Sequence, residues 1–222
     1  MKISKKTAAV VTAALLLAVG IVGGTSKDSA KDSMSGEFGL HGDNLTWKFD
    51  SKGTLTISGK GEMDNSSDVP WDSYSDDIVS VVIEDGVTSI GKWAFYVCDN
   101  LTSITIPNSV TTIDTSAISG CKSLTSITIP KSVTTIGRYA FSSCYSLTSI
   151  TIPKSVTTIG IGAFAGDTNL DTIVCKATTP PILLGADVFK NTPATKTLFV
   201  PCGTGLTYGT TEGWQDFAEI VE

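Results

Sequence analysis

Residues 101–113 read LTSITIPNSVTTI, residues 124–136 read LTSITIPKSVTTI, and residues 147–159 read LTSITIPKSVTTI. The stretches begin 23 residues apart and differ only where Asn108 stands against Lys131 and Lys154. The preceding stretch IVSVVIEDGVTSIGKWAFYVCDN (78–100) aligns to them without gaps. A short fixed period marks supersecondary units that stack on one another. Within a unit, Ile104 and Ile106 alternate with Ser103 and Thr105, which describes a short strand with one buried face. Pro107, Pro130 and Pro153 follow that strand and end its ladder, since proline has no N–H to donate. Val110–Ile113 reads as a second extended piece. The last third, as in Gly137-Arg-Tyr-Ala-Phe-Ser-Ser-Cys144, reads as a single helical turn burying Ala140, Phe141 and Cys144. No unit buries its apolar side alone, so stacking must complete the core.

The expected architecture is a repeat solenoid, mainly β with short helical turns. Its period is 23 residues, and an N-terminal β-hairpin cap closes it. Leu45-Thr-Trp-Lys-Phe49 and Thr54-Leu-Thr-Ile-Ser58 alternate apolar and polar around Asp50-Ser-Lys-Gly53, a hairpin signature. Residues 36–77 form this cap together with an acidic loop, GEMDNSSDVPWDSYSDD (61–77). Residues 78–197 form the array, and 198–222 the closing cap, with Trp214, Phe217, Ile220 and Val221 as its apolar cover. Residues 25–35 are small, polar and charged and read as a linker.

Residues 1–24 open with three lysines and run into AAVVTAALLLAVGIVGG, the pattern of an export signal or, if uncleaved, an N-terminal anchor. The expected location is outside the cell or at its surface, with membrane contact only through that segment. The chain carries a net charge of −6, which becomes −9 without residues 1–24. Such a balance excludes nucleic acid, whose phosphates call for basic patches.

Cys98, Cys121 and Cys144 recur at the 23-residue period, so their side chains project in parallel and do not face one another. They are expected as buried free thiols. Asp167 takes the next place in the series. Cys175 and Cys202 could pair across neighbouring coils.

The unit L-x-S-I-x-I-P-x-S-V-x-x-I-G-x-x-A-F-x-x-C resembles the leucine-rich repeat of BspA-like surface proteins of bacteria. NLTWKFDSKGTLTISGKGEM is similar to the segment that often precedes such arrays, and LFVPCGTGLTYGTTEGWQDF to their usual ending. The resemblance covers about residues 36–222. It implies an exported solenoid that makes contacts with other molecules, in some members host proteins or other cells. Three departures stand out: Ile118 where the family prefers Phe, Asp167 where it has Cys, and an insertion in the fifth unit.

Catalytic, cofactor and metal sites are all expected to be absent. The single histidine, His41, lies in a Gly-rich stretch without a partner for nucleophilic catalysis. Asp64-Asn-Ser-Ser-Asp68 imitates a calcium loop, but Val69 and Ser75 replace its glycine and its glutamate. The function expected is protein–protein or cell-surface binding, with a protein or glycan ligand outside the cell. One rival is a glycan-acting hydrolase using carboxylates of the acidic loop. A lesser one is an ice-binding ladder of Ser and Thr. Candidate contact residues are Ser103, Thr105, Ser126, Thr128, Ser149 and Thr151 on the strand face. Trp93, Tyr139, Tyr145 and Trp71 are the aromatic candidates, and the same residues also suit a plain soluble surface or coil shielding.

Overall fold

The computed structural model describes residues 33–40, 44–65 and 69–222. Residues 1–24, read as an export signal or anchor, and His41 lie outside them. Each coil contributes three edges to the stack. Along the first run the strands Thr54–Gly59, Ser80–Ile83 and Ser103–Thr105, then Ser149–Ile152, Thr172–Cys175, Thr197–Phe199 and Glu219–Val221. All neighbours within these two groups pair in parallel. Along the second run the short pieces Gly61–Glu62, Val87–Ile90, Thr112–Ile113, Thr135–Ile136, Thr158–Ile159 and Ile182–Leu183, a continuous six-stranded sheet. Thr111, Thr134 and Thr157 reinforce this edge. Each donates its N–H and its hydroxyl to the threonine carbonyl one coil earlier.

The third edge departs from expectation. The segments read as helical turns contain no helix; they are turns with left-handed residues at Trp93, Ser116, Tyr139 and Gly162, and again at Val97, Gly120, Ser143 and Gly166. The reason lies in where the N–H groups go. Trp93, Phe95 and Val97 donate to Thr115, Ala117 and Ser119 of the next coil, and Tyr139, Phe141 and Ser143 repeat the pattern toward Ile161, Ala163 and Ala165. A helix would have spent those donors within its own turn. Spending them between coils joins the stack by backbone on three sides.

Left-handed backbone carries a penalty for residues with a Cβ, so glycine suits these places. At Gly162 there is a second reason. A Cβ there would run into the ring of Tyr139 on the preceding coil. Gly162→Ala should therefore lower stability by about 1–3 kcal/mol, read from urea midpoints. In a Tyr139→Ala background the loss should shrink to the backbone penalty alone, and equal losses in both backgrounds would refute the contact.

The N-terminal cap is more deeply integrated than a lid. Strand Leu45–Phe49 pairs antiparallel with Thr54–Gly59, as the hairpin reading requires. Thr54–Gly59 then pairs in parallel with Ser80–Ile83, so the hairpin's second strand is itself the first rung of the stack. A further strand, Met34–Phe38, pairs antiparallel with Leu45–Phe49 and begins inside the stretch read as linker. The acidic segment is not an open loop. Asp72–Asp77 form a 3₁₀ helix, with Trp71 buried before it and Tyr74 partly buried within it. At the far end a short helix, Gly205–Thr210, precedes the closing strand Glu219–Val221 and brings buried Tyr208 under the last coils.

The core is a set of columns. One holds Trp71, Phe95, Ile118, Phe141, Phe164, Phe189 and Trp214, spaced 23 to 25 residues apart. Phe141, Phe164 and Phe189 stack nearly parallel at centroid separations of 5.5 and 5.4 Å. Trp71 stacks on Phe95, while Trp214 and Phe217 meet Phe189 edge-on at the other end.

A second column holds the cysteines. Cys98, Cys121 and Cys144 are free and buried, and the Cys121 and Cys144 thiols point at the Phe95 and Ile118 carbonyls, each at 3.2 Å. Burial pushes the Cys98 thiol up to about 12 and raises the other two as well. Thiolate is the reactive form, so all three should resist alkylation in the folded protein and react fully in denaturant, as mass spectrometry would show. A Cys98–Cys121 disulfide would overturn the stacking geometry. Cys175 is buried and Cys202 exposed, and both are free thiols, so the cross-coil pairing left open by the sequence is not made.

Candidate binding surface

The strand edge presents its outward side chains in register. Ser103, Thr105, Ser126, Thr128 and Ser149 are exposed and Thr151 is half-buried, while Ile104, Ile127 and Ile150 between them face the core. Ser80 lies beside Ser103 and Val82 beside Thr105; Ser149 lies beside Thr172 and Thr151 beside Val174. The six candidates do not form one uninterrupted ladder. The sheet ending at Ser103–Thr105 and the sheet starting at Ser149–Ile152 are separate, and on this edge the coil between them is joined by the isolated bridge Thr128–Thr151. Residues 124–130 are identical to 147–153. Their own chemistry therefore does not cause the interruption; their place at the meeting of the two sheets does.

The aromatic candidates divide. Trp93, Tyr139 and Tyr145 are exposed on the turn side, with Tyr96 more exposed still. Trp93 and Tyr139 share a register but stand two coils apart, roughly 10 Å, with Ser116 between them. Tyr139 is partly committed to its neighbours, since its ring lies over Gly162 and the Arg138 guanidinium sits 5.9 Å from the ring centre. Trp71 is not a surface contact at all. It is 1% exposed, its indole N–H donates to the Ala94 carbonyl at 2.7 Å, and it is the first rung of the aromatic column.

A group that sequence reasoning passed over lies at the end of the strand edge. Lys131, Lys154 and Lys176 are exposed and line one shallow groove with Thr128, Thr151 and Pro153. The signal was in view, for Lys131 and Lys154 are the very positions at which the three copies differ. The carboxylates proposed for catalysis converge less. Asp72, Asp76 and Asp77 follow one another along the 3₁₀ helix, and Asp68 lies outside the described residues. Among the described residues no cluster of three His, Cys, Asp or Glu side chains is placed to hold a metal ion.

Six copies of the BspA type leucine rich repeat region match residues 73–196. The chain belongs to the BspA-type leucine-rich repeat family. No curated protein matches it. Among solved structures, a leucine-rich repeat protein from Eubacterium ventriosum is 21% identical with a TM-score of 0.55, covering 86% of this chain and 68% of its own. The pneumococcal vaccine antigen PcpA is 20% identical with the same TM-score of 0.55, covering 79% of this chain and 46% of its own. At these identities the likeness is one of fold. This BspA-type chain spans less than half the length of PcpA. Among its described residues no helix is long and apolar enough to cross a membrane.

Proposed function

We propose that this BspA-type protein is an exported, non-enzymatic binding module that contacts a protein or glycan ligand outside a bacterial cell. The supporting observation is a stack whose strand edge displays Ser103, Thr105, Ser126, Thr128 and Ser149 outward over a buried aliphatic row, interrupted once where the two sheets meet. Such a face offers shape and hydroxyls over many coils instead of reactive groups converging on a point. The kinship with repeat proteins of bacterial surfaces and the basic-then-apolar residues 1–24 support display or release outside the cell.

An array of glycans and matrix proteins, probed with the purified full-length protein, tests the reading. Signals lost on Thr128→Arg and Thr151→Arg but kept on Trp93→Ala and Tyr139→Ala would assign the strand edge, and the opposite pattern the turn side. Polysaccharide or peptide turnover abolished by Asp64→Ala or Asp72→Ala would overturn the non-enzymatic reading. Terminal sequencing of the protein from cell fractions tests export. A start near Thr25 or Lys27 means secretion, an intact Met1 in membranes means anchoring, and intact protein in the soluble cytoplasm refutes both.

A further inference from the structure

We propose that the Lys131–Lys154–Lys176 column binds a linear polysaccharide carrying one anionic group on each sugar, laid along the stack. The proposal deepens the binding reading above and rests on it. The residue after the strand changes along the stack from Asp85 to Asn108 to Lys131 and Lys154, each step one period. Lys176, following the next strand, lines the same groove one place out of step. Charge along this column therefore passes from acidic through neutral to three consecutive cations, within a chain that is acidic overall.

Three other described lysines of the array show the contrast. Lys122 is paired with Asp99 at 2.7 Å, Lys190 with Asp187, and Lys196 lies over the Phe217 ring. No carboxylate lines the groove that holds Lys131, Lys154 and Lys176, and among the described residues none makes an ion pair with them. Their counter-charge is left for a ligand to supply. Lys154 and Lys176 also line the adjoining groove with Thr178, Thr179 and Ile182, so the basic track continues past one depression.

Spacing selects the ligand. Adjacent coils lie about 4.8 Å apart, so the column offers one cation per step of that length. A chain of sugar rings each carrying a carboxylate advances by a comparable step, and the flexible four-carbon stems of the lysines can follow carboxylates that turn about its axis. An extended acidic peptide repeats its same-face side chains every ~6.7 Å and falls out of step by the third lysine. A nucleic-acid duplex carries one charge per ~1.7 Å, far denser than three cations can match. Thr128 and Thr151, joined by an isolated bridge, add hydroxyls for the sugar's own.

The test uses the full-length protein with polygalacturonate, neutral dextran and polyglutamate as probes. Binding is measured by affinity electrophoresis and calorimetry at low and high salt. Polygalacturonate should bind, dextran should not, and polyglutamate should bind at least about tenfold more weakly. Replacing all three lysines (Lys131→Gln, Lys154→Gln, Lys176→Gln) should weaken polygalacturonate binding about 30-fold and flatten its salt dependence. The charge-matched set Lys48→Gln, Lys52→Gln, Lys60→Gln should change it less than about threefold. Melting curves of both sets check that each folds. No binding of polygalacturonate, equal loss in both triple variants, or tighter binding of polyglutamate would each overturn the proposal. An array ligand lost on Thr128→Arg but indifferent to the lysine set would overturn it too, while leaving the binding-module reading intact.

Discussion

Raising the pH from 5 to 9 should destabilise the wild-type protein by several kcal/mol, and Asp167→Asn should remove most of that dependence. Asp167 stands in the cysteine column, fully buried, one period after Cys144. One carboxyl oxygen accepts the Cys144 N–H at 2.8 Å, and the other has no hydrogen-bond partner. Burial pushes the carboxyl up to about 8, against the lowering effect of the Cys144 and Ser143 amides. In the unfolded chain the same group titrates near the ordinary value of 3.8. Between those values the folded protein holds a proton that unfolding releases, so stability is fully present below about pH 4. It declines as pH rises and levels off above about pH 8. By pH 7 the loss is on the order of 4 kcal/mol. Asparagine keeps the acceptor for Cys144 and cannot ionise. Urea unfolding should find Asp167→Asn the weaker protein at pH 5 and the stronger by about 2–3 kcal/mol at pH 9. Parallel pH profiles for the two proteins would show that Asp167 is not held protonated.

Phe164→Ala should cost about 3–5 kcal/mol, the largest loss from any one side chain between the caps. Phe164 is the middle ring of three near-parallel phenyls, so its removal opens a cavity and breaks two stacks at once. No neighbouring element can close the gap, because backbone bonds on three sides fix the coil spacing. Ile118→Ala, in the same column but outside any ring stack, should cost less, about 2–4 kcal/mol. If denaturant midpoints gave Ile118→Ala the greater loss, the ring column would not be a main contributor to stability.

Much of this fold could be read from thirteen repeated letters. Ile104 and Ile106 alternating with Ser103 and Thr105 declare which side of the strand is buried, and proline after it declares where the ladder stops. The turn edge was misread because Ala-Phe-x-x-Cys spacing fits one turn of helix as well as it fits what forms. The distinguishing signal is the glycine at positions 120, 162 and 166, where other copies carry Ser116, Tyr139, Val97 or Ser143 in the same left-handed conformation. Trp71 was misplaced for a different reason. It falls in an acidic segment that looks solvent-exposed, and only its 24-residue separation from Phe95 marks it as the column's first member. The lysine track escaped notice because a difference between near-identical copies looks like drift until three of them are seen to line one groove. The break at residues 124–130 was not legible at all, since its sequence is that of a coil that pairs fully.

That identity between copies also bears on how the chain finds its register. Residues 124–137 recur unchanged as 147–160, so nothing in the strand half of these coils labels one as third and the other as fourth. Only the turn half does, through Tyr139 over Gly162 and Asp167 accepting from Cys144. An arrangement that loops out one whole unit and stacks the remainder would forfeit a single interface and keep every local pattern, with the excluded loop adding only a slowly growing closure penalty. The unique ends hold the numbering. Trp71 stacks on Phe95, and Trp214 with Phe217 meets Phe189 edge-on, so the first and last coils are marked by partners that no interior coil shares.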